Sequence, residues 1–141
     1  MRKRSGWMAA VVVCVVAAGG GLAAQGGNAR TLKNPVKSTP ESIKAGQQAF
    51  NGMCRQCHGP LGRGDGMMAS KTQPPSDLTD GTWDHGATDG EIFAVIANGV
   101  PKEKTLMKGI KGKVADTDIW NIVNYIRSLE ERRAKSDAKK G

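Results

Sequence analysis

The sequence predicts a small helical domain whose helices are joined by irregular loops. Apolar residues recur at helical spacing in three separate stretches, a pattern typical of helices that bury one face. Glycine and proline are concentrated between these stretches, where they interrupt regular structure. No run of alternating β-branched residues indicates a strand.

The first predicted helix has a clear start signal. Thr39 is expected to be its N-cap, Pro40 its first residue and Glu41 an acid in its first turn, all favoured at helix N-termini. The helix is expected to run into Cys54. The residues at helical spacing are Ile43, Gln47 and Phe50, with Gly46 on the face of Phe50.

Two further helices are predicted downstream. Thr88 and Glu91 match a capping box, and Gly99 is expected to end the helix that they open. Asp116 is expected to cap the last helix, whose charged tail is expected to fray into solvent from Glu130. The apolar stripe of this helix consists of Ile119, Ile122, Val123, Ile126 and Leu129.

The segment Cys54-Arg55-Gln56-Cys57-His58 carries the main chemical signal. Two cysteines at this spacing, with a histidine directly after the second, form a haem-attachment motif. On a helical turn both sulfurs lie on one face, and each can add across one haem vinyl group. The sequence therefore predicts one covalently attached haem c, with His58 as the proximal iron ligand.

Two other site types compete for these residues. A thioredoxin-like redox motif needs a βαβ pattern, which the sequence lacks. A structural zinc site needs four ligands, and outside the motif the chain offers only His85 and Cys14. Haem attachment is the favoured interpretation.

The N-terminus resembles an export signal. Basic residues 2–4 precede an uncharged apolar stretch over residues 7–24, and Ala24 and Ala29 are small enough for signal peptidase. We therefore expect a signal peptide over residues 1–29 and a periplasmic location, with an uncleaved membrane anchor as the alternative. Residues 30–40 are expected to be a linker, 41–133 the haem domain and 134–141 a charged tail.

The second iron ligand is expected to be Met107. It lies in a loop without helical periodicity between the last two predicted helices, and a thioether raises the potential of haem iron. The alternatives are His85, Met67 or Met68, or an open sixth position.

With these residues the chain resembles the class I c-type cytochromes over roughly residues 41–129. The resemblance rests on the attachment motif, on Met107 and on the last helix, with Gly46, Phe50 and Tyr125 at the family's glycine and aromatic positions. It implies an all-α cytochrome c fold wrapped around one haem, with one porphyrin edge exposed. It also implies that the first and last helices cross closely.

Other site residues follow from the same resemblance. Trp83 and Arg63 are expected to donate hydrogen bonds to haem propionates, the alternatives being a core aromatic and a solvated charge. A backbone carbonyl near Pro74 or Pro75 is expected to hold the His58 ring, because ligating imidazoles usually donate their other N–H.

The expected function is a periplasmic one-electron carrier, a monomer and not an enzyme. The alternatives are a haem-based gas sensor and a cytochrome subunit of a dehydrogenase or reductase complex. Lysines around the proposed ligand loop would steer docking onto redox partners with acidic surfaces. Nucleic acid is not an expected partner, because no aromatic platform accompanies the charge. These lysines are Lys102, Lys104, Lys108, Lys111 and Lys113.

Overall fold

The computed structural model describes residues 28–100 and 105–141. It contains a short 3-10 helix, Ala29–Thr31, and four α-helices: α1 (Pro40–Met53), α2 (Arg55–His58), α3 (Asp89–Asn98) and α4 (Asp116–Asp137). The described residues form no strand beyond two isolated β-bridges, so the predicted all-α fold is confirmed. The expected signal peptide lies almost wholly outside the described residues.

Helix α1 begins as its start signal predicts. The Thr39 hydroxyl accepts a hydrogen bond from the Ser42 amide at 3.2 Å, and the Ser42 hydroxyl accepts one from the Thr39 amide at 3.0 Å. Pro40 lies in the first turn, where an N–H group would have no intrahelical carbonyl to bond, so the missing N–H of proline costs no hydrogen bond. The predicted capping box of α3 is also present, between Thr88 and Glu91.

The core forms where α1 crosses α4. Gly46 lies so close to the backbone of Asn121 that a Cβ atom built on it would overlap the Asn121 carbonyl. One turn later, the rings of Phe50 and Tyr125 meet edge to face, with centroids 5.3 Å apart and planes at 61°. Edge-to-face contact is a favoured aromatic geometry. The close helix crossing implied by the resemblance is therefore present.

Helix α4 differs from its prediction at both ends. Its first residue is Asp116, so the residue at the cap position is Ala115, whose amide donates to the Asp118 carboxylate at 3.3 Å. The expectation that the tail frays from Glu130 is wrong, because the helix continues to Asp137. Arg133 anchors this extension by bonding to the side chains of Asp77 and Thr79.

Residues 28–39, here called the N-terminal strap, pack against the helices. The sequence pattern predicts a linker over residues 30–40, which includes most of this segment. The Asn34 amide donates to the Asn124 side chain of α4 at 2.8 Å, and Asn124 donates to the Val36 carbonyl at 3.1 Å. Gly90 of α3 lies against the backbone of Ala29. The strap is thus part of the folded unit.

In the part of the chain that the structure describes, no helix has both the length and the apolar character needed to cross a bilayer.

Candidate haem-binding site

The attachment motif occupies the junction of α1 and α2. Cys54 ends α1 with helical backbone angles, and its carbonyl accepts hydrogen bonds from the amides of Cys57 at 3.1 Å and His58 at 2.9 Å. This single turn places Cys54, Cys57 and His58 on the wall of the same cavity. The predicted grouping of these three side chains is therefore present.

The cavity has a volume of about 450 Å³. Its wall is contributed by all four α-helices and by the loops between them, and much of that wall is aliphatic. A space of this size and character suits a large apolar ligand. The apolar residues of the cavity wall include Phe50, Leu78, Ile92, Val95, Ile96, Ile110, Ile122 and Ile126.

The His58 imidazole is buried and held by the backbone. Its Nδ1 lies 3.2 Å from the carbonyl oxygen of Ser76, one residue beyond Pro75. Burial lowers the pKa of His58, although the Ser76 carbonyl opposes this effect. A neutral imidazole in this position would donate from Nδ1 to the Ser76 carbonyl and leave Nε2 to bind a metal.

The two thiols are free and differ in exposure, Cys54 being half-buried and Cys57 exposed. Burial, and to a lesser degree the charge of Cys57, raises the pKa of Cys54 to about 12. A redox-active CxxC motif depends instead on a cysteine with a lowered pKa. The environment of Cys54 therefore disfavours the thioredoxin-like alternative.

The glycine-rich loop after His58 folds back onto the attachment turn. The amide of Gly64 donates to the His58 carbonyl at 2.9 Å, and that of Gly66 donates to the Cys57 carbonyl at 3.0 Å. Gly66 approaches this backbone so closely that a Cβ atom would overlap it. The loop therefore fixes the turn that presents His58.

The candidates for a second iron ligand differ in position and exposure. Met107, Met68 and His85 line the cavity, whereas Met67 does not. Met107 is half-buried, while Met68 is 69% exposed and Met67 93% exposed. The Met107 carbonyl accepts a hydrogen bond from the Val100 amide at 3.1 Å, which holds the end of the loop beside α3.

The two expected propionate donors lie in different environments. Trp83 lines the cavity, but its indole N–H donates to the Glu130 carboxylate at 3.1 Å. A propionate contact from Trp83 would require that hydrogen bond to be exchanged. Arg63 is exposed and is not among the residues of the cavity wall. Both propionate roles stay predictions.

Lysines surround part of the cavity mouth. Lys108 and Lys113 line the cavity and are exposed, and Lys111 is exposed nearby in sequence. Lys102 and Lys104 lie outside the described residues.

The residues present fit a covalently bound haem. Two free thiols share a wall with an imidazole that has one ring nitrogen uncommitted. The remaining wall is rich in aliphatic side chains, which would cover a porphyrin and exclude water from it. Thiol, imidazole and apolar groups are the set that a c-type haem requires.

Comparison with known proteins also indicates a c-type cytochrome. The family model described as "Cytochrome C oxidase, cbb3-type, subunit III" matches residues 41–126, which is more than half of the chain. Cytochrome c6 of Gracilaria tenuistipitata var. liui is 28% identical over 89 residues, which cover 63% of this chain and 74% of that protein. The cbb3-type cytochrome c oxidase subunit CcoP of Rhodobacter capsulatus is 32% identical over 89 residues, covering 60% of this chain.

Two solved structures are similar in fold. One is the Kuenenia stuttgartiensis reducing HAO-like protein complex Kustc0457/Kustc0458, with a TM-score of 0.61 and 27% identity over 70% of this chain. The other is cytochrome CL from Methylophaga aminisulfidivorans MPT, with a TM-score of 0.52 and 25% identity over 69% of this chain. The match spans 49% of the first chain and 57% of the second, and only 28% of CcoP.

The match to the family model covers the attachment motif, the cavity wall and the first half of α4. The family explains why two thiols and an imidazole share one apolar cavity, and it replaces the zinc and thioredoxin-like interpretations. The chain belongs to the class I c-type cytochromes, in the family described as cbb3-type cytochrome c oxidase subunit III, and carries electrons on a covalently bound haem c.

Proposed function

We propose that the chain is an exported one-electron carrier in which His58 and Met107 are the two iron ligands. The observation that carries this proposal is that both side chains line the cavity that also contains Cys54 and Cys57. Bound haem supplies the one-electron couple. With two protein ligands retained, no coordination position is left for a substrate, so we propose no catalytic activity of its own.

The choice of Met107 is supported by its burial and by its loop. Among the methionines and the histidine that compete for this role, Met107 is more enclosed than Met68 or His85. The loop is held by the Met107–Val100 hydrogen bond and by a β-bridge between Gly99 and Lys108. A thioether presented from a tethered loop loses little freedom on binding iron.

Single substitutions at the competing positions test this assignment. Met107→Ala is expected to give a high-spin ferric spectrum and a ferrous form that binds carbon monoxide. Met68→Ala and His85→Ala serve as matched controls and are expected to keep the wild-type spectrum. If either control acquires the high-spin spectrum while Met107→Ala stays low-spin, Met107 is not the ligand.

We further propose that the lysines at the cavity mouth steer encounter with acidic redox partners. The chain has a formal net charge of +8, and Lys108 and Lys113 are exposed residues that line the cavity. The positive electrostatic field of these lysines would raise the rate at which the protein encounters anions and acidic protein surfaces.

The rate at which ferricyanide, a small anion, oxidises the ferrous protein reports on this electrostatic field. Lys108→Gln and Lys113→Gln are each expected to lower the second-order rate constant and weaken its dependence on ionic strength. Lys139→Gln, at the exposed end of the chain, is the matched control. Equal effects at all three positions would show that only net charge matters.

A subunit of a larger redox complex is a second candidate, favoured by the matches to CcoP and to a protein complex. Its haem chemistry would be the same, but the partner would stay bound. Size-exclusion chromatography of the periplasmic fraction from the native host separates the two. We expect elution as a monomer, whereas co-elution of the haem with a larger protein would favour the subunit.

A further inference from the structure

The C-terminal extension of α4 reaches the loop that holds the His58 ring. Arg133 bonds through Nη1 to the carboxylate of Asp77 and to the hydroxyl of Thr79. Asp77 directly follows Ser76, whose carbonyl lies 3.2 Å from Nδ1 of His58. A series of contacts thus runs from the C-terminal end of α4 to the imidazole.

Asp77 also closes the turn that leads from Ser76 to Thr79. Its Oδ1 accepts hydrogen bonds from the Thr79 amide at 2.8 Å and from the Thr79 hydroxyl at 2.6 Å. This arrangement fixes the backbone that leaves Ser76, and Arg133 ties it to α4. Thr79 is buried although it lies in a loop, as expected of a turn that packs against the domain.

We propose that Arg133, acting through Asp77, is a positioning residue that aims the Ser76 carbonyl at His58 and thereby lowers the reduction potential of the haem. The inference rests on the proposed role of His58 as an iron ligand. A ligating imidazole that donates its other N–H becomes a stronger electron donor, and a stronger donor favours the ferric state. A loosened Ser76 carbonyl would weaken this donation and raise the potential.

Other contacts could hold the loop without Arg133. The Leu78 amide donates to the Gly62 carbonyl at 2.7 Å, and Gly64 packs closely against the Pro75 carbonyl. If these backbone contacts suffice, the Arg133–Asp77 pair is only a surface ion pair and its loss would act through charge alone.

Two substitutions separate positioning from charge. Arg133→Gln removes a positive charge, which by itself lowers the reduction potential. Asp77→Asn removes a negative charge, which by itself raises the potential, and the Asn oxygen still accepts from the Thr79 amide so that the turn is kept. If Arg133 positions the Ser76 carbonyl, the reduction potential rises in both variants. If only charge matters, the potential falls in Arg133→Gln and rises in Asp77→Asn.

The measurement is a spectroelectrochemical titration of the haem-loaded proteins. Arg132→Gln is the matched control, because it removes the same charge from the neighbouring, exposed position of α4. We expect the potential to rise in Arg133→Gln and Asp77→Asn and to fall slightly in Arg132→Gln. A fall in Arg133→Gln, or a shift no different from that of the control, would overturn the proposal.

The His58 ring proton gives a second readout. In the ferrous protein, exchange of the Nδ1 proton with solvent is expected to be faster in Arg133→Gln and Asp77→Asn, and unchanged in Arg132→Gln. Unchanged exchange in all three would contradict the positioning role. These outcomes are distinguishable from failure of the proposed function, because the wild-type spectrum alone reports whether the iron has two protein ligands.

Discussion

Gly46 of α1 lies directly against the backbone carbonyl of Asn121 of α4. This contact sets the distance between the two helices that carry the core. It also brings Phe50 and Tyr125 into edge-to-face contact one turn further along. Because α1 leads straight into Cys54, the crossing determines where the attachment turn sits relative to the cavity.

Gly46→Ala is expected to destabilise the protein, although alanine favours helix formation by roughly 0.5–1 kcal/mol over glycine. The added methyl would overlap a backbone atom that cannot rotate away, so the helices must separate. We expect a loss of about 3 kcal/mol, measured by urea unfolding of the haem-loaded protein. Gln48→Ala, exposed on the same helix, is the control and should change stability by less than about 0.5 kcal/mol. Equal stability of Gly46→Ala and wild type would refute the close crossing.

The N-terminal strap is expected to loosen when its link to α4 is removed. Asn34→Ala loses hydrogen bonds to Asn124 at 2.8 Å and to the Trp120 carbonyl at 3.4 Å. We expect a loss of about 1 kcal/mol and faster trypsin cleavage after Lys33 and Lys37. Asn51→Ala, at an exposed position of α1, should leave the cleavage rate unchanged. If Asn34→Ala is cleaved no faster than wild type, the strap is not held by Asn34.

Stability in acid should depend on Asp77. Burial alone would raise the pKa of Asp77, but hydrogen bonds from Thr79 and Arg133, with the charge of Arg133, outweigh burial and lower it. A carboxylate with a lowered pKa stabilises the fold at pH values above its unfolded pKa of about 3.9, and the effect is lost as pH falls through the folded value.

The stability difference between wild type and Asp77→Asn should therefore be constant above about pH 5 and should shrink below about pH 4. At neutral pH we expect it to be about 1 kcal/mol, since the pair is partly exposed. Thermal unfolding across this pH range measures it. A difference that persists unchanged at low pH would show that the Asp77 carboxylate is not stabilised by Arg133.

The sequence was a good guide where a local motif decides the structure. Thr39, Pro40 and the Thr88–Glu91 pair start helices as expected, because capping involves residues within one turn. The attachment motif also predicted that Cys54, Cys57 and His58 would share one site, since their spacing alone puts them on one turn.

Prediction from the sequence failed where the structure depends on contacts between residues that are far apart in the chain. The charged end of α4 is predicted from its composition to be a solvated tail. In the structure, Arg133 forms hydrogen bonds with Asp77 and Thr79, which are more than 50 residues away in the chain. The strap reads as a linker, but Asn34 pairs with Asn124, 90 residues away. Single charged or polar residues give no periodic signal, so tertiary pairing of this kind leaves no pattern to detect.

The proposed role of this cytochrome as an electron carrier depends on a haem iron that keeps two protein ligands. Absorption spectra of the haem-loaded protein, ferric and ferrous, with and without carbon monoxide, test it most directly. We expect a low-spin ferrous spectrum that carbon monoxide does not change, with the weak red ferric band of iron–thioether bonding. A high-spin spectrum that shifts on adding carbon monoxide would contradict it and would favour a gas sensor with an open sixth position.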